Sequence, residues 1–139
     1  ITAEQVFLKH LEIYRATSTQ RDPQILDLIE RLKANHYNVH CATNTEREIA
    51  EFNKRNGLFN YFIMRFISTD MGMSKEEVAF YEHALRELRI KPERGVLIDN
   101  EQRHIETAKQ TGLHTVLYGR YQEGYSQLLT DLSRLSIKI

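Results

Sequence analysis

The chain has 139 residues, 41% of them hydrophobic and 27% charged, which bounds it to one globular domain and leaves no room for a second. Lysine plus arginine equal aspartate plus glutamate at 19 each, so no net field draws it to nucleic acid or to an acidic membrane surface. The single cysteine, Cys41, excludes an internal disulfide framework and fits a reducing, cytoplasmic compartment. No apolar stretch approaches the roughly 20 residues of a membrane span, and no basic-then-apolar signal pattern opens the sequence.

Val6, Leu8, Leu11, Ile13 and Tyr14 recur at near-helical spacing, which predicts a helix over residues 1–20, interrupted by the polar cluster 17–20 and by Pro23. Ile25, Leu26, Ile29 and Leu32 predict a second helix to about Ala34, with Asp22 as cap and Pro23 at a first helical position. Residues 37–42 read as a strand ending at Thr43-Asn44-Thr45, and residues 46–56 as a helix with Gly57 as its left-handed cap. A less regular, aromatic run over 61–67 reads as the next strand. Ser74 with Glu77 three residues on forms a capping box for a helix carrying Val78, Tyr81, Ala84, Leu85 and Leu88. Residues 95–98 are an unbroken apolar run of the kind buried on both faces, stopping at Asp99-Asn100. A helix through Ile105 and Ala108 closed by Gly112, a strand over 114–118 and a last helix over 125–135 complete the chain.

Strands and helices alternate without a hairpin signal, so the expected fold is α/β: a parallel sheet with helices on both faces. In such sheets ligands bind beyond the carboxyl ends of the strands, and Thr43-Asn44, the loop after Ile67 and Asp99-Asn100 should therefore converge on one edge. Thr43 ends a strand before a helix N-terminus, where a hydroxyl and main-chain amides suit an anion. Lys75 stands at a helix start, where a cation opposes the helix dipole. Asp99 ends a buried strand, where a carboxylate needs a cation or hydrogen-bond donors. A hydroxyl, a lysine and an acid in that order make an anion clamp suited to phosphoryl transfer. The six histidines, His10, His36, His40, His83, His104 and His114, lack a paired ligand spacing and read as core or surface imidazoles. A phosphoacceptor receiver domain would carry its acids before the threonine and lysine. A dinucleotide-binding domain would carry Gly-x-Gly-x-x-Gly after a strand, which is absent.

Residues 41–45 (Cys-Ala-Thr-Asn-Thr), residues 70–75 ending in Lys75, and residues 96–100 followed by Ile105, Ala108, Gly112 and Leu113 resemble, in order, the second, third and fourth motifs of the haloacid dehalogenase-like (HAD) hydrolases. The resemblance runs from Pro23 to Tyr118 and implies a three-layer, Rossmann-like core over residues 21–139. It also implies that residues 1–20 are a helix resembling the end of a helical cap. It implies catalytic roles for Thr43, Lys75 and Asp99, phosphoryl binding by Thr43, Asn44 and Lys75, and a magnesium site at Asp99 and Asn100. The implied activity is hydrolysis of a small phosphorylated metabolite through an aspartyl-phosphate, with neither nucleic acid nor membrane as partner. Three features depart from the family pattern. No Asp-x-Asp, the family's nucleophile motif, occurs in the 139 residues, Asn100 stands where a second acid is usual, and Glu76 stands where proline commonly follows the lysine. The expectation is a core whose nucleophile strand lies outside this chain, and which is inactive by itself. The alternatives are a non-catalytic HAD-like binding or scaffold protein and a metal-independent dehalogenase-type hydrolase. In the complete protein, Lys75→Ala is expected to lower phosphatase turnover by on the order of 100-fold or more while leaving the fold intact.

Overall fold

A computed structural model of the protein describes residues 5–8, 22–119 and 124–139. Five parallel strands form one sheet: β1 (Gln5–Leu8), β2 (Asn38–Thr43), β3 (Arg65–Ile67), β4 (Gly95–Asp99) and β5 (His114–Leu117), in the order β3-β2-β1-β4-β5. Helices α1 (Pro23–Ala34), α2 (Arg47–Arg55), the single turn α3 (Ser68–Met71), α4 (Val78–Leu88), α5 (Gln102–Lys109) and α6 (Tyr125–Arg134) connect and cover it. This is the expected α/β, Rossmann-like layering. Among the described residues, no helix is long and apolar enough to cross a membrane.

Alternation along the strands builds the two halves of the core. Val6, Val39, Cys41, Val96 and Ile98 face α1 and α6, where Ile25, Leu28, Leu128 and Leu132 meet them. Phe7, Ala42, Phe66 and Leu97 face the other way, against Phe80, Ala84, Ile105 and Ala108 of α4 and α5. Asp22 caps α1 by accepting from the Gln24 amide at 2.9 Å, as its place before Pro23 predicts. Gly57 adopts φ 73°, the left-handed conformation expected after α2.

The N-terminal expectation is corrected at Gln5–Leu8. The helix predicted over 1–20 is here a strand, paired in parallel on both sides, Leu8 with Cys41 of β2 and with Ile98 of β4. The central position of the sheet is therefore filled from within this chain. Four residues cannot distinguish a period of 2 from one of 3.6. Val6 and Phe7, on opposite faces, each find a core, while both ladders satisfy the main chain. The remainder of the predicted helix, and with it the proposed cap remnant, lies outside the described residues. Two smaller corrections concern the expected aromatic strand and the capping box. Only Arg65–Ile67 form a strand, preceded by a 3-10 turn over Leu58–Tyr61. Helix α4 begins at Val78, because the Glu77 side chain bonds back to the Ser74 amide at 2.8 Å and closes a turn before the helix.

His40 on β2 is buried, with its Nε2 2.6 Å from the Gln5 side-chain oxygen. Burial lowers its pKa from 6.5 to about 4. The unfolded chain then binds this proton more readily, so the group's contribution is complete above pH 6.5 and is lost as pH falls toward about 4. The loss is on the order of 3 kcal/mol. Urea unfolding of the wild type and of His40→Gln between pH 7.5 and about 4 measures it. The variant's stability should fall less across that window, and parallel pH profiles would contradict the account.

Candidate functional site

The crossover from β3 to β4 carries the chain past β2 and β1, and Lys75 lies on it, at the carboxyl edge where the strand order reverses. Its side chain is fully buried. Nζ donates to the main-chain oxygen of Ala42, at the end of β2, at 2.8 Å, and to Oδ2 of Asp99, the last residue of β4. The ammonium thus bridges the strands on either side of β1. A cation that looked misplaced at a helix start is an internal partner. Three donors on Nζ and an isolated carboxylate are groups that cannot be buried alone.

Asp99 is equally buried, and its Oδ1 accepts from the Glu101 amide at 2.9 Å. Burial pushes its carboxyl up. The hydrogen bond from His104, the charge and hydrogen bond of Lys75 and the Glu101 amide together outweigh that, holding Asp99 below the usual carboxylate range. Thr43 closes β2 and is fully buried. Asn44, half-exposed, accepts from the Lys75 amide at 2.8 Å and donates to Glu76 Oε2 at 3.2 Å, so it fixes the lysine's loop to the end of β2. The next amide, that of Thr45, is taken by Ser68 Oγ at 3.1 Å. The sequence-predicted residues do meet at one edge, where the Lys75 ammonium is paired with Asp99 and bonded to the carbonyl before Thr43.

Three further residues complete the network, and the sequence reading missed all of them. His104, on the inner face of α5, sits with Nδ1 3.1 Å from Asp99 Oδ2 and Nε2 3.3 Å from Glu76 Oε1. Glu76 also accepts from Ser74 Oγ at 2.5 Å and pairs with Arg103 at 3.2 Å. The Ser74 hydrogen bond, with smaller help from His104 and Asn44 against slight burial, holds Glu76 down to about 2. The Tyr81 hydroxyl donates to the Lys75 carbonyl at 2.7 Å and lies 3.4 Å from that of His104, tying α4 to both. Its phenol is pushed up by burial first and by Asp99 and Glu76 next. The available signal was His104 five residues after Asp99, in step with the buried Ile105 and Ala108.

Magnesium takes an octahedral shell of oxygens, built on one or two carboxylates with free lone pairs. The expected donors, Asp99 and Asn100, supply one carboxylate, and both its oxygens already receive hydrogen bonds from Lys75, His104 and Glu101. Among the described residues no group of three or more His, Cys, Asp or Glu could hold a metal ion. Among the described residues, the donor set does not fit the metal.

The structure is an α/β core with a five-stranded parallel sheet and a buried lysine–aspartate pair at its carboxyl edge. The sequence profile of the haloacid dehalogenase-like hydrolases matches residues 3–118, and the chain belongs to that family. Among solved structures it is similar to an uncharacterized protein from Corynebacterium glutamicum, at 16% identity and TM-score 0.73, with 98% of this chain and 97% of that one covered. It is also similar to a HAD family enzyme from Bacteroides thetaiotaomicron solved with magnesium and inorganic phosphate, at 24% identity and TM-score 0.66, covering 78% of this chain and 57% of that one. A HAD phosphatase from Thermococcus onnurineus is similar at 22% identity and TM-score 0.67, covering 76% and 50%. The chain thus spans nearly all of the first protein, a little over half of the second and half of the third.

Proposed function

We propose that Thr43, Asn44 and Lys75 form the phosphoryl-binding end of a phosphohydrolase site for a small phosphorylated metabolite. In this reading the attacking carboxylate and the general acid belong to an Asp-x-Asp pair outside these 139 residues. The observation that carries the reading is the buried ammonium of Lys75, held between the ends of β2 and β4. Such a group, already desolvated and fixed, stabilises charge developing on phosphoryl oxygens without reorganising when the reaction occurs. The carboxylate would attack phosphorus to give an aspartyl-phosphate as the ester P–O bond breaks and the leaving oxygen takes a proton. Water would then release phosphate. Thr43 and Asn44 would orient the phosphoryl oxygens, and Asp99 would keep Lys75 in place. No step is assigned to magnesium.

Phosphate binding tests the surviving half of the site. Inorganic phosphate should bind the 139-residue chain with a dissociation constant on the order of 1 mM, about 4 kcal/mol. Asn44→Asp, which sets a like charge beside the anion, should abolish the calorimetric signal. Binding unaffected by that change would remove Asn44 and its neighbours from the site.

One observation favours a second reading, a non-catalytic phosphate-binding member of the family. The central strand is Gln5–Leu8, and the residues that follow it in sequence, Lys9-His10-Leu11, carry no carboxylate. Under the first reading an Asp-x-Asp strand must displace β1. Under the second, β1 is permanent and phosphate is bound without turnover.

A further inference from the structure

We infer that His104 excludes divalent cations from this edge and, with Lys75, makes its anion binding independent of metal. The inference rests on the phosphoryl-binding reading for its ligand, and on the geometry of three side chains for everything else. The buried imidazole of His104 is wedged between two carboxylates, 3.1 Å from Asp99 and 3.3 Å from Glu76. It thereby occupies the space from which a cation would reach both. Charge leads to the same result. Asp99 is matched by Lys75, and Glu76 by Arg103, which Glu101 shares at 3.9 Å. Nowhere in this cluster do two carboxylates face one space without a cation or a nitrogen donor between them, the arrangement a hard dication needs. His104 is held there by its place on the inner face of α5, beside Ile105 and Ala108, and by the Tyr81 hydroxyl near its carbonyl.

His104 is a positioning residue in this account, and removing its ring should convert the cluster into what it now prevents. In His104→Ala the carboxylates of Asp99 and Glu76 would face one cavity, with the Asn100 amide next to Asp99 in sequence, an oxygen set suited to manganese or magnesium.

The experiment uses Mn2+ as probe, followed by electron paramagnetic resonance, on the 139-residue chain. The wild type should leave the spectrum of the free aquo ion unchanged at millimolar protein. His104→Ala should bind Mn2+ saturably, and His104→Ala with Asp99→Asn should lose that binding. His104→Asn, nearer in shape to the native side chain, serves the same purpose if the alanine variant does not fold. Saturable binding by the wild type that Asp99→Asn removes would overturn the inference. So would the absence of any gain in a folded His104 variant, a result expected if only a missing nucleophile carboxylate kept the metal out. In parallel, inorganic phosphate is titrated in EDTA and in magnesium. Equal affinity supports metal independence, and binding only with magnesium overturns it while leaving the phosphoryl site standing. No phosphate binding in either medium would sink the functional reading instead, with the manganese spectra still deciding the role of His104.

Discussion

Lys75→Ala should lower the free energy of unfolding by about 3–5 kcal/mol, because it leaves the Asp99 carboxylate buried without its main counter-charge. That is a large share of the ~5–15 kcal/mol that holds a domain together, and a fall of roughly 10 °C or more in melting temperature should accompany it. The side chain touches no solvent, so alanine here is expected to act on the stability of the fold and not on the site alone. Asp99→Leu should cost a similar amount, since it strands the ammonium. The double variant Lys75→Met with Asp99→Leu should cost much less than the two single changes summed, because no unpaired charge remains in the interior. Urea melts of the four proteins complete the cycle. Additivity within about 0.5 kcal/mol would mean that the two groups do not interact as described.

The second large effect concerns turnover. The 139-residue chain should show no hydrolysis of p-nitrophenyl phosphate above the uncatalysed rate, with or without magnesium. Removing a nucleophile alone typically costs a factor on the order of a million, and here the general acid is absent too. A longer protein carrying Asp-x-Asp ahead of these residues should hydrolyse the ester, and exchanging its first aspartate for asparagine should abolish that activity. Binding of phosphate without turnover by that longer protein would favour the non-catalytic reading. Robust turnover by the 139 residues would mean that the wrong chemistry has been assigned to Thr43, Lys75 and Asp99.

Much of this molecule was legible before its coordinates. The long periodic segments were read to within a few residues: α1 from Asp22 and Pro23, β4 from its unbroken apolar run, α6 from its spacing. So was the convergence of Thr43, Lys75 and Asp99, because parallel topology sends every strand end to one edge. What failed was either too short or too context-dependent for a local signal. Gln-Val-Phe-Leu takes its strand from pairing on both sides, which no window of four residues records. Ser74 and Glu77 match a capping box, yet the Glu77 side chain closes a separate turn onto the Ser74 amide before α4 starts. His104 was set aside with the other histidines because ligand spacing was sought along the sequence. Its partners, Asp99 and Glu76, come from a strand end and a loop 23 residues apart.

The most direct test is made at the Lys75 ammonium itself. In a chain labelled with 15N at lysine side chains, a fully buried Nζ bonded to Asp99 and Ala42 should exchange slowly enough to give its own resonance, apart from the exposed lysines. Titration with inorganic phosphate should shift that resonance saturably, with the same dissociation constant found by calorimetry. Chloride at matched ionic strength should leave it in place, and Asn44→Asp should remove the response. A resolved Lys75 signal that phosphate does not move, in a protein shown to be folded, would contradict the claim that this edge is a phosphoryl-binding site.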